Sequence, residues 1–366
     1  PRSTLFPYTT LFRSYDEDKW PSGYAGGKIP LMNADYRAKC LVRIKKGTPL
    51  PSGSEMIKDG DSVLYIAYTA KLGNPLFNGT CYVDLFNRDV VSAFIGESYK
   101  PYIDRYLTRM GRFEIFTDEP HIHARYFDRN TPHEGSLSWS PFLAEKFRQM
   151  WGYDLACKIE LLFEERENWR EVRLQYYIAV ASQFEDSFTK QIAKYCGKRG
   201  VKFSGHYLGE ESLEKVRDRI GNAMLHYRNM QKPGIDNLGL TTTGRLITAK
   251  SLSSVANQYD IPERLCEIYG ISGQNLNFED RKWLSGWQVV LGVNRMVPHL
   301  ALYSLKGTRK RDYPPTISFH QPWWPFNKKI ADYTGRISYA ATVGRFKPQI
   351  LVRSEEHTSE LQSRQS

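Results

Sequence analysis

Arg112-Phe-Glu-Ile-Phe-Thr-Asp-Glu-Pro120 decides how this chain folds. A short aromatic and β-branched run closed by proline reads as a buried strand whose last residues emerge into a loop. It delivers two carboxylates, Asp118 and Glu119, to the end of that strand. Upstream, Val90, Val91, Phe94, Ile95, Tyr102, Ile103 and Tyr106 recur at helical spacing between Asn87, a natural N-cap, and Met110. Helix, turn, strand and terminal acids make one unit of a β/α barrel, a fold that keeps its chemistry at the C-terminal ends of its strands.

Other stretches repeat the design. A long amphipathic pattern through Val172, Leu174, Tyr177, Ile178, Ala181, Phe184, Phe188 and Ile192 leads into Val201-Lys-Phe-Ser-Gly-His-Tyr-Leu-Gly-Glu-Glu211, which presents His206, Glu210 and Glu211. Pro233 to Gly239 reads as a strand end with Asp236 exposed. A short helix from Leu246 to Tyr259 then feeds Arg264-Leu-Cys-Glu-Ile-Tyr-Gly270, which carries Glu267. Asn277 caps a helix with Glu279 and Asp280 in its first turn and Trp283, Leu284, Trp287, Val290 and Leu291 on its apolar face. Val293 to Leu302 is a further strand, delivering His299; Asn327 to Val343 returns to helix, and 350–352 begins a last strand. Alternating strand and helix predicts a parallel sheet and an α/β fold, a (β/α)8 barrel of TIM type that is expected to be incomplete in this chain. Carboxylates converging from several strands suit glycoside hydrolysis, in which one carboxyl protonates the leaving oxygen and a second serves as base or nucleophile.

The connecting segments add candidates. Tyr15 to Gly27 begins acidic and turns glycine-rich, a loop in which Asp16, Glu17 and Trp20 are candidate contacts to a polar ligand. Residues 38–70 alternate short β-prone runs with Pro, Gly and Ser turns, a small β-rich excursion near the N-terminus. Pro120 to Pro141 is too polar and proline-rich for regular structure; its His121, His123 and His133 complete no zinc pattern, and a substrate-contacting loop is the stronger reading. His206 and His299 are placed to hydrogen-bond sugar hydroxyls, and Trp20 and Tyr269 to stack on a sugar face.

Composition removes other classes. With 366 residues and 41% hydrophobic composition there is material for one large core. The net charge of +11 comes from Lys and Arg scattered among Asp and Glu, with no nucleic-acid-binding motif, so a nucleic-acid partner is not expected. No apolar run approaches the roughly 18 residues that would span a bilayer. Five separated cysteines signal neither a disulfide framework nor a metal cluster. The ends read differently from the middle. Residues 353–366 contain what a common short-read sequencing adapter encodes in one frame, and residues 1–14 match the partner adapter in the same way. The native segment is therefore expected at residues 15–352, a piece of a longer, metagenomic gene, with both tails set aside as artefacts. Localisation has no signal, since the true N-terminus is expected to be missing.

Eight ordered segments carry a resemblance: YDEDKWPSGYAGG (15–27), YVDLFN (82–87), FTDEP (116–120), GHYLGEESL (205–213), PGIDNLG (233–239), WQVVLGVN (287–294) and KRDYPP (310–315) with QPWWP (321–325). In these the chain resembles the glycoside hydrolase family 106 α-L-rhamnosidases and related bacterial glycosyl hydrolases. The resemblance implies a (β/α)8 catalytic domain within a longer chain bearing β-rich accessory domains. It also implies an inverting exo-glycosidase that removes α-L-rhamnosyl or similar residues from polysaccharides. Carried over by position, Glu119 is the general acid and Glu267 the general base, and a calcium ion, with Glu210 or Glu211 as candidate ligands, lies near the sugar; no organic cofactor is implied. Asp118, His121 and Asp236 join Glu17, Trp20, His206, Glu210, Glu211, Tyr269 and His299 as expected substrate contacts. One departure stands out: Cys266 precedes Glu267 where the family carries Ser or Thr. A non-catalytic carbohydrate-binding relative with the same barrel is the alternative.

Overall fold

The computed structural model describes residues 12–110, 113–122, 134–344 and 346–347. His123, His133, the expected strand at 350–352 and the tail 353–366 lie outside these residues. The strands, in chain order, are β1 (Phe12–Tyr15), β2 (Lys39–Lys45), β3 (Ser54–Asp59), β4 (Val63–Thr69), β5 (Phe113–Asp118), β6 (Gly135–Trp139), β7 (Lys202–His206), β8 (Lys232–Asn237), β9 (Leu265–Ile268) and β10 (Arg295–Pro298).

Six of them form a parallel sheet in the order β1-β5-β7-β8-β9-β10. Sheet order and chain order coincide, so each crossover adds its strand on the same side of the last. Right-handed crossovers then put the helices on one face, and the sheet curls around the other as in an α/β barrel. A doubly wound sheet would instead reverse its order at a switch point. Phe12 to Ser14 belong to the segment expected to be an adapter artefact, yet Phe12–Tyr15 pairs in register with Phe113–Phe116. Parallel pairing runs through backbone groups, and an open sheet edge accepts an extended chain of almost any sequence.

The second sheet is antiparallel, in the order β3-β4-β2-β6, and corresponds to the expected β-rich excursion. It is larger than its apolar runs suggest. Gly135–Trp139 lies in a segment read as irregular, and its Gly-Ser-Leu-Ser-Trp sequence has weak strand preference; pairing with β2 from Lys39↔Trp139 to Arg43↔Gly135 supplies the ladder that local propensity does not.

Helices pack only partly as their periodicity predicts, since Leu174 and Ile178 of the expected apolar face are exposed. Asn87 accepts a hydrogen bond from the Asp89 N–H and starts Arg88–Phe94, which passes through one wide turn into Lys100–Met110. Trp169–Phe184 continues through Glu185–Thr189 into Lys190–Gly197, burying Val172, Phe184, Phe188 and Ile192. Asn277 caps Phe278–Val290, which buries Arg281, Leu284, Ser285 and Gln288, whereas Trp283 and Val290 face outward. Among the described residues no helix is long and apolar enough to cross a membrane.

Charge is buried at both ends of the parallel strands. At the N-terminal end, Lys232 at the start of β8 sits 2.7 Å from Glu114 and 2.7 Å from Glu263, with its side chain 5% and that of Glu114 0% exposed. These charges are matched. At the C-terminal end the acids outnumber their partners, and there the chain opens into a cleft.

Candidate active site

Strand register collects the site. Asp118 is the pairing partner of His206 across β5 and β7, and Asp236 is the partner of Glu267 across β8 and β9. Close approach of β5 and β7 depends on Gly205, whose φ of +135° and whose missing Cβ, which would lie 2.0 Å from the Thr117 carbonyl oxygen, admit no side chain.

Strict alternation beyond Asp118 would send Glu119 to the other face of β5. Instead Glu119 adopts a left-handed conformation, φ +47°, and its N–H donates to the His206 carbonyl at 3.1 Å. Asp118 and Glu119 therefore both line the cleft. Holding a non-glycine residue there costs on the order of 1 kcal/mol, and such local strain gathers where function demands a particular side-chain direction.

The cleft has a volume of about 940 Å³. Of the residues expected from sequence, Trp20, Asp118, Glu119, Glu210, Glu211, Asp236, Glu267 and His299 line it. His206 lies directly beneath, 1% exposed, its Nε2 3.0 Å from Glu267 Oε2 and 3.6 Å from Asp118 Oδ1. The other Glu267 oxygen is 3.7 Å from His299 Nε2. Trp20 donates its indole N–H to Glu119 Oε2 at 2.6 Å.

These contacts set the protonation of the acids. Burial raises the Glu119 pKa to about 8, with the Asp118 charge adding to it and the His206 charge and Trp20 hydrogen bond opposing it. Burial likewise raises Asp118, and raises Asp236 well above the carboxylate range, both against the pull of His206. Glu210, buried, rises to about 7, although His206, the Tyr227 hydroxyl and the Tyr207 N–H favour its charged form. Glu211 is different: Lys215 outweighs its partial burial, pairs with it at the rim and lowers its pKa.

Other expected contacts fall outside the cleft. Glu17 turns inward, its carboxylate accepting the N–H groups of Gly23, Tyr24, Ala25 and Gly26 at 3.1, 3.0, 2.8 and 2.5 Å. Asp16 is buried and accepts from the Ser22 and Tyr99 hydroxyls. His121 is fully buried and stacked on Tyr82, ring centroids 4.7 Å apart. Tyr269 is buried with φ +81°, and its hydroxyl donates to the Arg281 carbonyl at 3.0 Å. In each case the local turn, which residue type alone does not reveal, directs the side chain into the protein. Cys266 faces the core on the side of β9 opposite Glu267, so the departure there leaves the carboxylate untouched.

The structure also brings in residues not singled out from sequence. Tyr15 donates its hydroxyl to Asp118 Oδ2, and Arg219, Arg245 and Tyr313 line the cleft walls. Tyr15 ends β1 opposite Phe116, and nothing in its own stretch marks the strand. Arg219 ends the helix Leu213–Arg219, where cations are common for reasons unrelated to a site, and Arg245 starts the helix Arg245–Gln258 with no pattern in its stretch to mark it.

No known family model matches the chain, and no curated protein sequence does. Among solved structures it is similar to a rhamnosidase from Novosphingobium sp. PP1Y, with a TM-score of 0.60 and 18% identity over 77% of this chain. The chain spans 27% of the length of that protein. At this identity the likeness is one of fold.

Proposed function

We propose that this chain carries the catalytic region of a glycoside hydrolase, an inverting exo-glycosidase of the family 106 kind with α-L-rhamnosides as its leading substrates, built on a (β/α)8 barrel. One observation carries the reading: a single acid-rich cleft at the C-terminal strand ends holds Glu119, which burial keeps protonated near neutral pH, together with Glu267, whose two oxygens face two imidazoles. Environments that separate two carboxyls in this way mark an acid and a base.

In this mechanism Glu119 passes its proton to the glycosidic oxygen as the bond to the anomeric carbon breaks. Glu267 takes a proton from a water that attacks the same carbon from the opposite face, so configuration inverts in one displacement. Trp20 fixes the Glu119 carboxyl, and Tyr313 offers a ring to the apolar face of a sugar. The calcium implied by the resemblance has a partial fit here. Glu210 Oε2 is a buried carboxylate oxygen with no hydrogen-bond partner among the described residues, the hard donor such an ion takes, whereas Glu211 is committed to Lys215. Bound there, the ion would supply positive charge for sugar hydroxyls.

The test is hydrolysis of paired 4-nitrophenyl and methyl glycosides, α-L-rhamnosides included, by the parent protein, Glu119→Gln and Glu267→Gln. Glu267→Gln is expected to lose both substrates. Glu119→Gln should lose the methyl glycoside and keep part of the nitrophenyl one, since nitrophenolate departs with little help from an acid. Proton NMR of the first sugar released should show the inverted anomer. Activity surviving in Glu267→Gln, or a retained anomer, would overturn the assignment. A folded parent that binds sugars without turning any over would favour the non-catalytic relative.

A further inference from the structure

His206 was expected to touch substrate, but at 1% exposure it lies under the cleft rather than in it. What surrounds it is unusual. Asp118, His206 and Glu267 each bring a polar atom within 4.8 Å of one another, and so do Glu119, His206 and Asp236. Four carboxylates from β5, the turn after it, β8 and β9 thus crowd around one imidazole, with the Phe116 ring edge-on to it at 5.4 Å. Tyr15 occupies the far oxygen of Asp118, His299 faces the far oxygen of Glu267, and Glu210 stands one loop away. Several acids so close together cannot all ionise in a buried site whose nearest positive group is one imidazole, with His299 at its edge.

We propose that His206 is a positioning residue: a buried imidazolium that holds Glu267 and Asp118 as the ionised pair and thereby leaves the transferable proton on Glu119. The geometry decides which acids receive the charge. Nε2 lies 3.0 Å from Glu267 and 3.6 Å from Asp118, and Glu119 and Asp236 each bring a carboxylate oxygen within 4.8 Å of a ring nitrogen. Burial by itself disfavours a charged imidazole, yet the hydrogen bond to Glu267 and the charges of Glu267, Asp118 and Asp236 raise its pKa well above the usual range. The acids and the imidazole then titrate as one coupled group. His206 acts through Glu267 and touches neither sugar nor water.

The kinetic consequence rests on the glycosidase reading, whereas the charge on the ring does not, so the experiment has two arms. The first is ¹⁵N NMR of histidine-labelled protein, with His206 assigned by its absence in His206→Gln. Both ring nitrogens should carry protons from about pH 5 to pH 8, and the titration should move to lower pH in Asp118→Asn as one counter-charge is lost. The second is the pH profile of kcat/KM on the preferred glycoside. In His206→Gln, whose amide keeps a donor to Glu267 but no charge, the acidic limb should rise by about one pH unit, with kcat down about tenfold at pH 5 and KM little changed. A neutral ring at pH 6 would overturn the proposal, as would an unmoved acidic limb. If no glycoside is cleaved, the catalytic reading fails and the spectroscopic arm alone decides the role of His206. If His206→Gln does not fold, the Asp118→Asn titration decides it.

Discussion

Replacing Trp20 by Phe would keep a ring in the loop and remove one N–H, the donor 2.6 Å from Glu119 Oε2. That bond is strongest when the carboxyl is ionised, so it favours the charged form and pulls the pKa of the acid down. A hydrogen bond to a charged group contributes about 1.5–3 kcal/mol. At about 1.36 kcal/mol per pH unit, its loss raises the pKa of Glu119 by about one to two units. Since burial already places that pKa at about 8, the basic limb of kcat/KM should move upward by at least about one unit in Trp20→Phe. At neutral pH the rate should fall a few-fold, because a weaker acid hands over its proton less readily. The assay is a pH profile on a methyl or disaccharide substrate, whose poor leaving group needs the acid, beside a thermal melt to show that the fold is intact. A basic limb that stays in place or moves down, in a variant melting like the parent, would refute the link between the indole N–H and the proton of Glu119.

Two further outcomes probe the scaffold and the rim. Lys232→Met should lose about 3–5 kcal/mol of unfolding free energy in urea denaturation, because it removes the buried positive charge 2.7 Å from the fully buried Glu114; a loss below about 1 kcal/mol would show that this pair adds little to the fold. Glu211→Gln should change kcat/KM by less than about threefold, since its carboxylate already serves Lys215 in a partly exposed pair, and a hundredfold loss would instead make Glu211 the base.

Much of the fold was legible because apolar runs that end in acids leave little doubt about strand direction, and β5, β7, β8 and β9 fell where those runs are. The Asn87 and Asn277 caps were readable for the same local reason: a side chain two or three residues from the N–H it accepts. What escaped is set by contacts distant in sequence. β6 exists because β2 offers it a ladder. The outward Trp283 and Val290 show that an apolar residue near a helix face is not fixed to the inside of it. In the site, residue type and strand position were enough to bring out Glu119, Asp236 and Glu267 as cleft residues. The same reasoning misplaced Glu17 and Tyr269, because in a turn a carboxylate or a ring follows the backbone dihedrals, and these are invisible in composition. Glu119 itself reaches the cleft only through its φ of +47°, a backbone conformation that nothing in FTDEP announces.

The inward Glu17 has a consequence for how the cleft behaves in time. Four successive loop amides, from Gly23 to Gly26, are held by one carboxylate. Their hydrogen exchange should be as slow as that of amides in a sheet, though the segment looks like a flexible surface loop. The shelf that presents Trp20 is therefore set before any sugar arrives. Much of its rigidity traces to an acid that lines no part of the cleft.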